Sequence, residues 1–115
     1  MSVSPITTHV LDTARGAPAA GVGVSLDLKL GEGWQRVGAG TTDADGRLHS
    51  LLPSDHLLAA GIYRLTFASG DYFVALGITG FYPEIQITFV IDSPDQHYHV
   101  PLLLSPFGYS TYRGS

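Results

Sequence analysis

VGVSLDLKL, residues 22–30, decides the fold class of this chain. Apolar side chains occupy every second position, and the polar residues Ser25, Asp27 and Lys29 lie between them. Since successive side chains of a β-strand point to opposite faces, this alternation predicts a strand with one buried face. The segment EIQITFVI, residues 84–91, repeats the pattern. Two such segments predict a mainly β protein.

The remaining predicted strands are shorter extended runs bounded by Gly, Pro, Asp and Ser, residues that are typical of turns. They cover residues 6–11, 35–42, 62–67, 98–104 and 110–115. Their number and spacing indicate an antiparallel β-sandwich. One short helix is predicted in SGDYFVALG, with Ser69 as its N-cap and Gly77 as its C-terminal stop. Residues 54–61 are expected to form a loop.

A tight turn is predicted in TTDADGRL, residues 41–48. The pair Asp45-Gly46 supplies the positive φ angles of such a turn, so we expect a hairpin with Arg47 directly after its corner. A calcium loop is disfavoured, because Ser54 stands where such a loop needs its closing glutamate.

Composition excludes several classes of function. The chain of 115 residues is 44% hydrophobic and 14% charged, which is the balance of a folded domain, here expected as one domain over residues 1–115. A net charge of −4 without a Lys/Arg cluster argues against nucleic-acid and membrane partners. The absence of cysteine excludes disulfides, thiolate zinc sites and cysteine nucleophiles. Without a leader-like segment or membrane span, a cytoplasmic location is expected.

Two histidines share one strand face in QHYHV, residues 96–100. His97 and His99 are two residues apart and therefore point to the same side, whereas Tyr98 points to the other. Three interpretations are open at this point. The histidines are ordinary surface residues, or they bind a metal ion with His9 as third ligand, or they perform acid/base chemistry.

The chain resembles the transthyretin family over nearly its whole length. HVLDTARGAPAAGVGV, residues 9–24, and YHVPLLLSPFGYST, residues 98–111, are similar to the two signature segments of that family. Residues 61–91 resemble its central strand-helix-strand region. The last four residues, Tyr112-Arg113-Gly114-Ser115, are similar to the tetrapeptide of the enzymatic branch, which hydrolyses 5-hydroxyisourate.

The resemblance implies an eight-stranded transthyretin-like sandwich that assembles as a homotetramer, a dimer of dimers, with sites in the channel between the dimers. It carries the family's site to His9, to Arg47 after the Asp-Gly turn, to His99 and to the tail, defined as Tyr112–Ser115. No cofactor and no metal ion are expected.

The reaction implied by the resemblance is hydrolysis of 5-hydroxyisourate to 2-oxo-4-hydroxy-4-carboxy-5-ureidoimidazoline in urate degradation. The attacking water needs a base to accept its proton, and the carbonyl oxygen needs a donor as negative charge develops on it. We expect His9 to act on the water and Arg47 to orient His9 or the substrate. His99 is expected to hold the purine-like ring and to share in proton transfer.

The tail is expected to take part in the same site. Tyr112, Arg113 and Gly114 are predicted to bind substrate, because a guanidinium presents a rigid fork of donors to flat oxygen-rich acceptors. Ser115 with its terminal carboxylate is predicted to pair with a cation or to position the water.

Two other classes of function are weighed against the enzyme. The first is a transthyretin-like carrier of thyroid hormone or another small ligand, which is disfavoured because an apolar ligand would desolvate the arginines and histidines of the site. The second is a domain used only for interaction, which would have no activity that depends on the tail.

Overall fold

The computed structural model describes residues 4–115, so residues 1–3 of the predicted domain lie outside it. Nine strands and one helix follow one another within the described range. Their bounds are β1 Ile6–Asp12, β2 Ala17–Pro18, β3 Gly23–Leu30, β4 Gly33–Thr41, β5 Arg47–Leu48, β6 Gly61–Phe67, α1 Ser69–Ala75, β7 Ile85–Ile91, β8 Tyr98–Ser105 and β9 Gly108–Thr111. Six of the seven predicted strands are present close to their predicted bounds, whereas the strand predicted over residues 110–115 ends at Thr111 and overlaps β9 by two residues. The prediction of a mainly β fold with one short helix is confirmed.

The strands form two sheets. One sheet has the order β4-β3-β6-β7, and the other is built on β1, which pairs with β8 on one edge and with the short strands β2 and β5 on the opposite edge. β9 pairs with the outer edge of β8. The architecture is therefore two layers of four strands, β5-β1-β8-β9 and β4-β3-β6-β7, with the two-residue β2 as a ninth strand.

One strand pair departs from the expected antiparallel arrangement. β1 and β8 are parallel, in register from Ile6 opposite Tyr98 to Asp12 opposite Leu104. Parallel neighbours need a long crossover connection, and here the whole other sheet and the helix lie between them in the chain. Hydrophobic alternation alone does not encode this direction, because it is the same for either orientation.

The hydrophobic core lies between the two sheets and is formed by alternate residues of the long strands. Val24 and Leu26 of β3 are buried, as their spacing predicts. The alternation ends before the strand does, because Leu30 is 54% exposed whereas Asp27, predicted on the polar face, is only 4% exposed. Burial of Asp27 reflects two arginines that close over its carboxylate from the neighbouring strands β4 and β6.

The helix begins without the cap that was expected. Ser69 is its first residue rather than its N-cap, which is Ala68, and the Ser69 hydroxyl donates instead to the carbonyl of Tyr82 at 3.2 Å. The predicted stop at Gly77 is confirmed, with a φ of 70° that a glycine adopts without strain. Residues 54–61 form an irregular loop up to the start of β6, also as predicted.

The predicted turn at Gly46 is present, but it does not make a hairpin. Gly46 has a φ of 74°, and a side chain here would collide with the carbonyl oxygen of Val10. β5, which follows the turn, pairs with β1 and not with β4. The turn therefore carries the chain from one sheet to the other and places Arg47 at the edge of β1.

Candidate active site

Three of the predicted site residues meet on the outer face of the sheet that contains β1. The parallel register of β1 and β8 sets Thr7 opposite His99 and His9 opposite Pro101. The short strand β5 sets Arg47 opposite His9 on the other edge of β1. Ile6 and Val10 are buried in the core. His9 directly precedes Val10, so its side chain projects to the opposite, outer face of the sheet.

An open cavity of about 200 Å³ lies on this face. It is lined by Thr7, Arg47, His49, His97, His99 and Ser115. The cavity thus contains three residues predicted for the site, Arg47, His99 and Ser115. None of these lining residues has an acidic side chain, and the ionisable side chains are three histidines and one arginine.

His99 is the most constrained imidazole of the cavity. Its Nδ1 lies 2.8 Å from the Thr7 hydroxyl, and its carbonyl accepts a hydrogen bond of 2.8 Å from the Gly114 amide. A Cβ atom at position 114 would lie 2.7 Å from Cδ2 of the imidazole and 3.2 Å from the Pro101 ring. Glycine at this point of the tail therefore allows the chain to pack flat against the His99 ring.

The environment of His99 favours its neutral form. Partial burial is the main cause that lowers the pKa of His99 below its ordinary value, and positive charge on His97 and Arg47 lowers that pKa further. His9 and His49 act in the same direction. A histidine that stays neutral at pH 7 can accept a proton, which is what a general base has to do.

Arg47 is presented by a rigid turn. The carboxylate of Asp43 accepts hydrogen bonds from the backbone amides of Asp45 at 2.9 Å and Arg47 at 3.0 Å. The hydrogen bond from the Arg47 amide is the main cause of a lowered pKa for Asp43, so this carboxylate stays ionised and keeps the turn closed. Among residues 4–115 both ion pairs are made by Asp27, which leaves the Arg47 guanidinium without a carboxylate partner.

His9 lies beside this cavity and does not line it. Its Nε2 is 2.9 Å from the carbonyl oxygen of Asp45, and because a carbonyl only accepts, Nε2 carries a proton and donates. The same turn that presents Arg47 therefore also orients His9. While this hydrogen bond is made, Nδ1 is the one His9 nitrogen that can accept a proton.

Tyr112 and Arg113 are not brought to the histidine cavity. They line a second, mainly apolar cavity of about 260 Å³ at the open edge between β7 and β9. The Arg113 guanidinium lies 4.4 Å from the centre of the Tyr98 ring, and its Nη2 donates to the Gln96 side chain at 2.9 Å. Neither of these two tail residues is among those that line the cavity of Arg47 and His99.

The structure adds residues that the sequence did not assign to the site. Thr7 and His49 line the cavity, and His97 joins them through its Nε2, 3.2 Å from the Thr7 hydroxyl. A signal for two of them was available, because Thr7 precedes His9 by two residues and His49 follows Arg47 by two. Period-two alternation places such neighbours on a common face.

The metal interpretation of the histidines finds no support in the part of the chain described here. Across residues 4–115, no group of three or more His, Cys, Asp or Glu side chains is arranged to hold a metal ion. In the same range, no helix has the length and apolar character needed to cross a membrane.

Taken together, the fold and the cavity define a transthyretin-like sandwich with a histidine-lined site on the outer face of one sheet. The model of the HIUase/Transthyretin family matches residues 6–114, and the chain belongs to this family. It is 50% identical to the 5-hydroxyisourate hydrolase of Caulobacter vibrioides, in a match that covers 98% of this chain and 100% of that protein.

Solved structures of both branches of the family are similar to this chain. The 5-hydroxyisourate hydrolase of Klebsiella pneumoniae has a TM-score of 0.85 at 40% identity and covers 100% of both chains. Sea bream transthyretin in complex with thyroxine has a TM-score of 0.88 at 34% identity, covering 96% of this chain and 94% of its own. Because the fold is similar to structures of both branches, the residues of the site have to distinguish the two functions.

Proposed function

We propose that this protein is a 5-hydroxyisourate hydrolase, which opens the six-membered ring of its substrate with water to form 2-oxo-4-hydroxy-4-carboxy-5-ureidoimidazoline in urate degradation. The high identity to curated hydrolases supports this activity. The observation that carries the proposal is the cavity in which a neutral imidazole, His99, and an unpaired guanidinium, Arg47, line the same opening. Such a pair provides a proton acceptor and a rigid donor for a developing oxyanion.

In this mechanism His99 accepts the proton of the attacking water. Its Nε2 makes no hydrogen bond to any of residues 4–115, while Nδ1 is held by Thr7. This assigns the base differently from the expectation that His9 acts on the water, because His99 lines the cavity and His9 does not. His9 lies next to the cavity and is one of the neighbours that lower the pKa of His99, after partial burial, His97 and Arg47.

Arg47 binds the substrate and meets the charge that grows on the carbonyl oxygen. The N–H donors of its guanidinium are available to a ligand, since no carboxylate among the described residues pairs with them. Ser115 lines the same cavity and is proposed to contact the substrate or the water.

The rest of the tail is proposed to position these groups. Gly114 packs against the His99 ring, and its amide donates a hydrogen bond to the His99 carbonyl. Arg113 anchors the tail on the other side, through Tyr98 and Gln96, so that Ser115 stays at the cavity, and Tyr112 lines the apolar cavity beside it. Their predicted contact with substrate would require a neighbouring copy of the chain to bring them to a site.

A homotetramer is the assembly we propose from the family resemblance. Large apolar side chains at the edge between β7 and β9 are exposed, including Val90 at 64% and Tyr112 at 58%, next to the apolar cavity. Exposed apolar surface of this kind is typical of an interface. Light scattering coupled to size-exclusion chromatography would test the assembly by its mass.

We also propose that residues 1–115 form a single domain and that the protein is cytoplasmic.

A carrier of an apolar ligand is the second candidate, favoured by the close structural similarity to transthyretin. The site argues against it, because such a ligand would desolvate Arg47 and several imidazoles without offering them acceptors. A small ring rich in oxygen and nitrogen satisfies those donors.

The decisive experiment follows the ultraviolet absorbance of freshly generated 5-hydroxyisourate with and without the protein. We expect decay to accelerate in proportion to protein concentration. A His56→Gln variant, altered at an exposed position that does not line the cavity, should behave like the wild type. Decay no faster than in buffer would overturn the proposal. Saturable binding of an iodothyronine without faster decay would favour the carrier.

A further inference from the structure

The hydroxyl of Thr7 lies between two imidazoles. It is 2.8 Å from Nδ1 of His99 and 3.2 Å from Nε2 of His97. Thr7 itself is 2% exposed, whereas His97 is exposed to solvent and His99 is half-buried. A buried hydroxyl thus connects the proposed base with a histidine at the surface.

The hydrogen bonds of this hydroxyl constrain both rings. A threonine hydroxyl donates one proton and can accept others. Its two partners among residues 4–115 are the imidazoles, so if both rings donated to it, its own buried proton would have no acceptor. One imidazole therefore donates to Thr7 and the other accepts from it.

Two arrangements satisfy this rule. In the first, His99 donates from Nδ1 to Thr7, Thr7 donates to Nε2 of His97, and Nε2 of His99 is unprotonated. In the second, every donor is reversed, and Nε2 of His99 carries the proton. Protonated His97 has no acceptor nitrogen and permits the second arrangement alone.

We propose that Thr7 is a positioning residue that links His99 to His97, so that the two imidazoles share one proton and His97 releases it to solvent. The proposal rests on the proposed function for the source of that proton, the attacking water.

The proton transfer is balanced at each atom. As the water oxygen bonds to the carbonyl carbon, its proton passes to Nε2 of His99. The Nδ1 proton of His99 moves to the Thr7 oxygen, and the original Thr7 proton moves to Nε2 of His97. His99 is then neutral again, in its other tautomer, and His97 is protonated at the surface. Loss of the Nδ1 proton of His97 to water or buffer leaves both rings neutral in the second arrangement. The first arrangement is restored when Nε2 of His99 gives its proton to the nitrogen released as the ring opens, protons move back from Nε2 of His97 through Thr7 to Nδ1 of His99, and His97 takes a proton from solvent at Nδ1.

The charges around His97 and His99 favour a state in which only one of the two rings is protonated. His9 from β1, Arg47 from β5, His49 after β5 and Ser115 from the tail surround His99 together with His97. The cationic side chains among them all lower the pKa of His99, and protonated His97 does so more than any other charged neighbour. Simultaneous protonation of both rings is therefore unfavourable.

Histidine tautomers provide a test that does not depend on activity. In protein labelled with ¹⁵N-histidine, we expect ring spectra to show His99 as the Nδ1–H tautomer at pH 8, converting to the Nε2–H tautomer as His97 binds its proton. Loss of individual signals in His97→Gln and His99→Gln assigns the two rings. Thr7→Val keeps the β-branched shape without the hydroxyl and should abolish the conversion, whereas Thr7→Ser should retain it.

Kinetics give a second test, with a result that loss of structure would not mimic. Thr7→Val should lower kcat/KM by about 10- to 100-fold, as for other groups that orient a functional imidazole, and Thr7→Ser should restore it. In His97→Gln the acid limb of the pH profile should move to lower pH, because the first proton then has one ring to bind and not two.

The outcomes separate the two proposals. A His99 tautomer that ignores the state of His97, or that is the same in Thr7→Val, would overturn the link through Thr7 even if hydrolysis were normal. A tautomer switch in a protein that does not accelerate 5-hydroxyisourate decay would support the link and overturn the proposed function.

Discussion

The outer faces of the two sheets both carry arginines, and they use them differently. On the sheet β4-β3-β6-β7, the carboxylate of Asp27 accepts from Arg36 at 2.7 Å and from Arg64 at 3.4 Å, and the Arg64 guanidinium lies 4.2 Å from the centre of the Trp34 ring. On the other sheet, Arg47 stands among histidines without an acidic partner in the described chain. In the first cluster both arginines are paired with a carboxylate, and in the second Arg47 is open to a ligand.

The difference shows which charges have a structural role. Asp27 is nearly buried, with 6% of its side chain exposed, so its two arginines offset the desolvation of its charge. No such compensation surrounds Arg47 and His99, and the cost appears as a lowered pKa for His99. Uncompensated groups gathered in one cavity indicate a functional site, because stability alone does not favour them.

The largest expected effect tests the open cluster at His99. The variant His99→Gln removes the proposed base and should lower kcat/KM for 5-hydroxyisourate by about 10²–10⁴-fold, the usual contribution of a general base. Stopped-flow absorbance measures the rate, with His56→Gln as the matched histidine control. Near-normal turnover in His99→Gln would show that this cavity is not where the water is activated.

A pair of arginine variants compares the two faces directly. Arg47→Gln should lower kcat/KM by about 10²–10³-fold, because a donor to the developing oxyanion is lost. Arg36→Gln, on the opposite face, should leave kcat/KM unchanged. Equal losses in both variants would mean that the two faces do not differ in function as proposed.

A change in the ion-paired cluster around Asp27 should alter the stability of the protein. Asp27→Asn leaves two guanidinium groups without a countercharge, and we expect the free energy of unfolding to fall by about 2–3 kcal/mol, somewhat less than the loss of one partner from a fully buried ion pair. Urea denaturation followed by tryptophan fluorescence measures the change. The folded variant should keep its activity, and a loss of activity without a loss of stability would contradict the structural role of Asp27.

The smallest expected effect is on how the stability of the protein depends on pH. Because the pKa of His99 is lowered by folding, the unfolded chain binds a proton more readily, and this residue makes the protein less stable as pH falls from about 6.5 through the folded pKa. Above that window its contribution is constant. Urea denaturation at several pH values should show a shallower decline below pH 6.5 in His99→Gln than in the wild type. Parallel curves would exclude a perturbed His99.

Much of the fold was predictable because its signals are local. Alternation marked β3 and β7, turn residues bounded the other long strands, and Gly77 and Gly46 marked two points where the chain needs a positive φ. The errors arose where a choice between partners is non-local. The hydroxyl of Ser69 donates to the carbonyl of Tyr82 instead of capping the helix, and the strand after the turn before Arg47 pairs with β1 although β4 is at the edge of its own sheet.

The candidate site was predictable in part for the same reason. Resemblance pointed to His9, Arg47 and His99, and the structure places all three on one sheet face. It assigned Arg113 to the substrate as well, whereas the described chain uses Arg113 against Tyr98 and Gln96. A side chain as long as arginine reaches several partners, and sequence does not tell which one it contacts.

The sequence by itself determined that this is a mainly β chain of the transthyretin family and which residue types its site contains, because alternation and motif are properties of neighbours along the chain. Tertiary structure alone decided that β1 and β8 run parallel, and that register brings the Thr7 hydroxyl to His99 from more than ninety residues away. Hydrogen bonds form only at contact distance, so the protonation state of an imidazole depends on groups that folding brings to it.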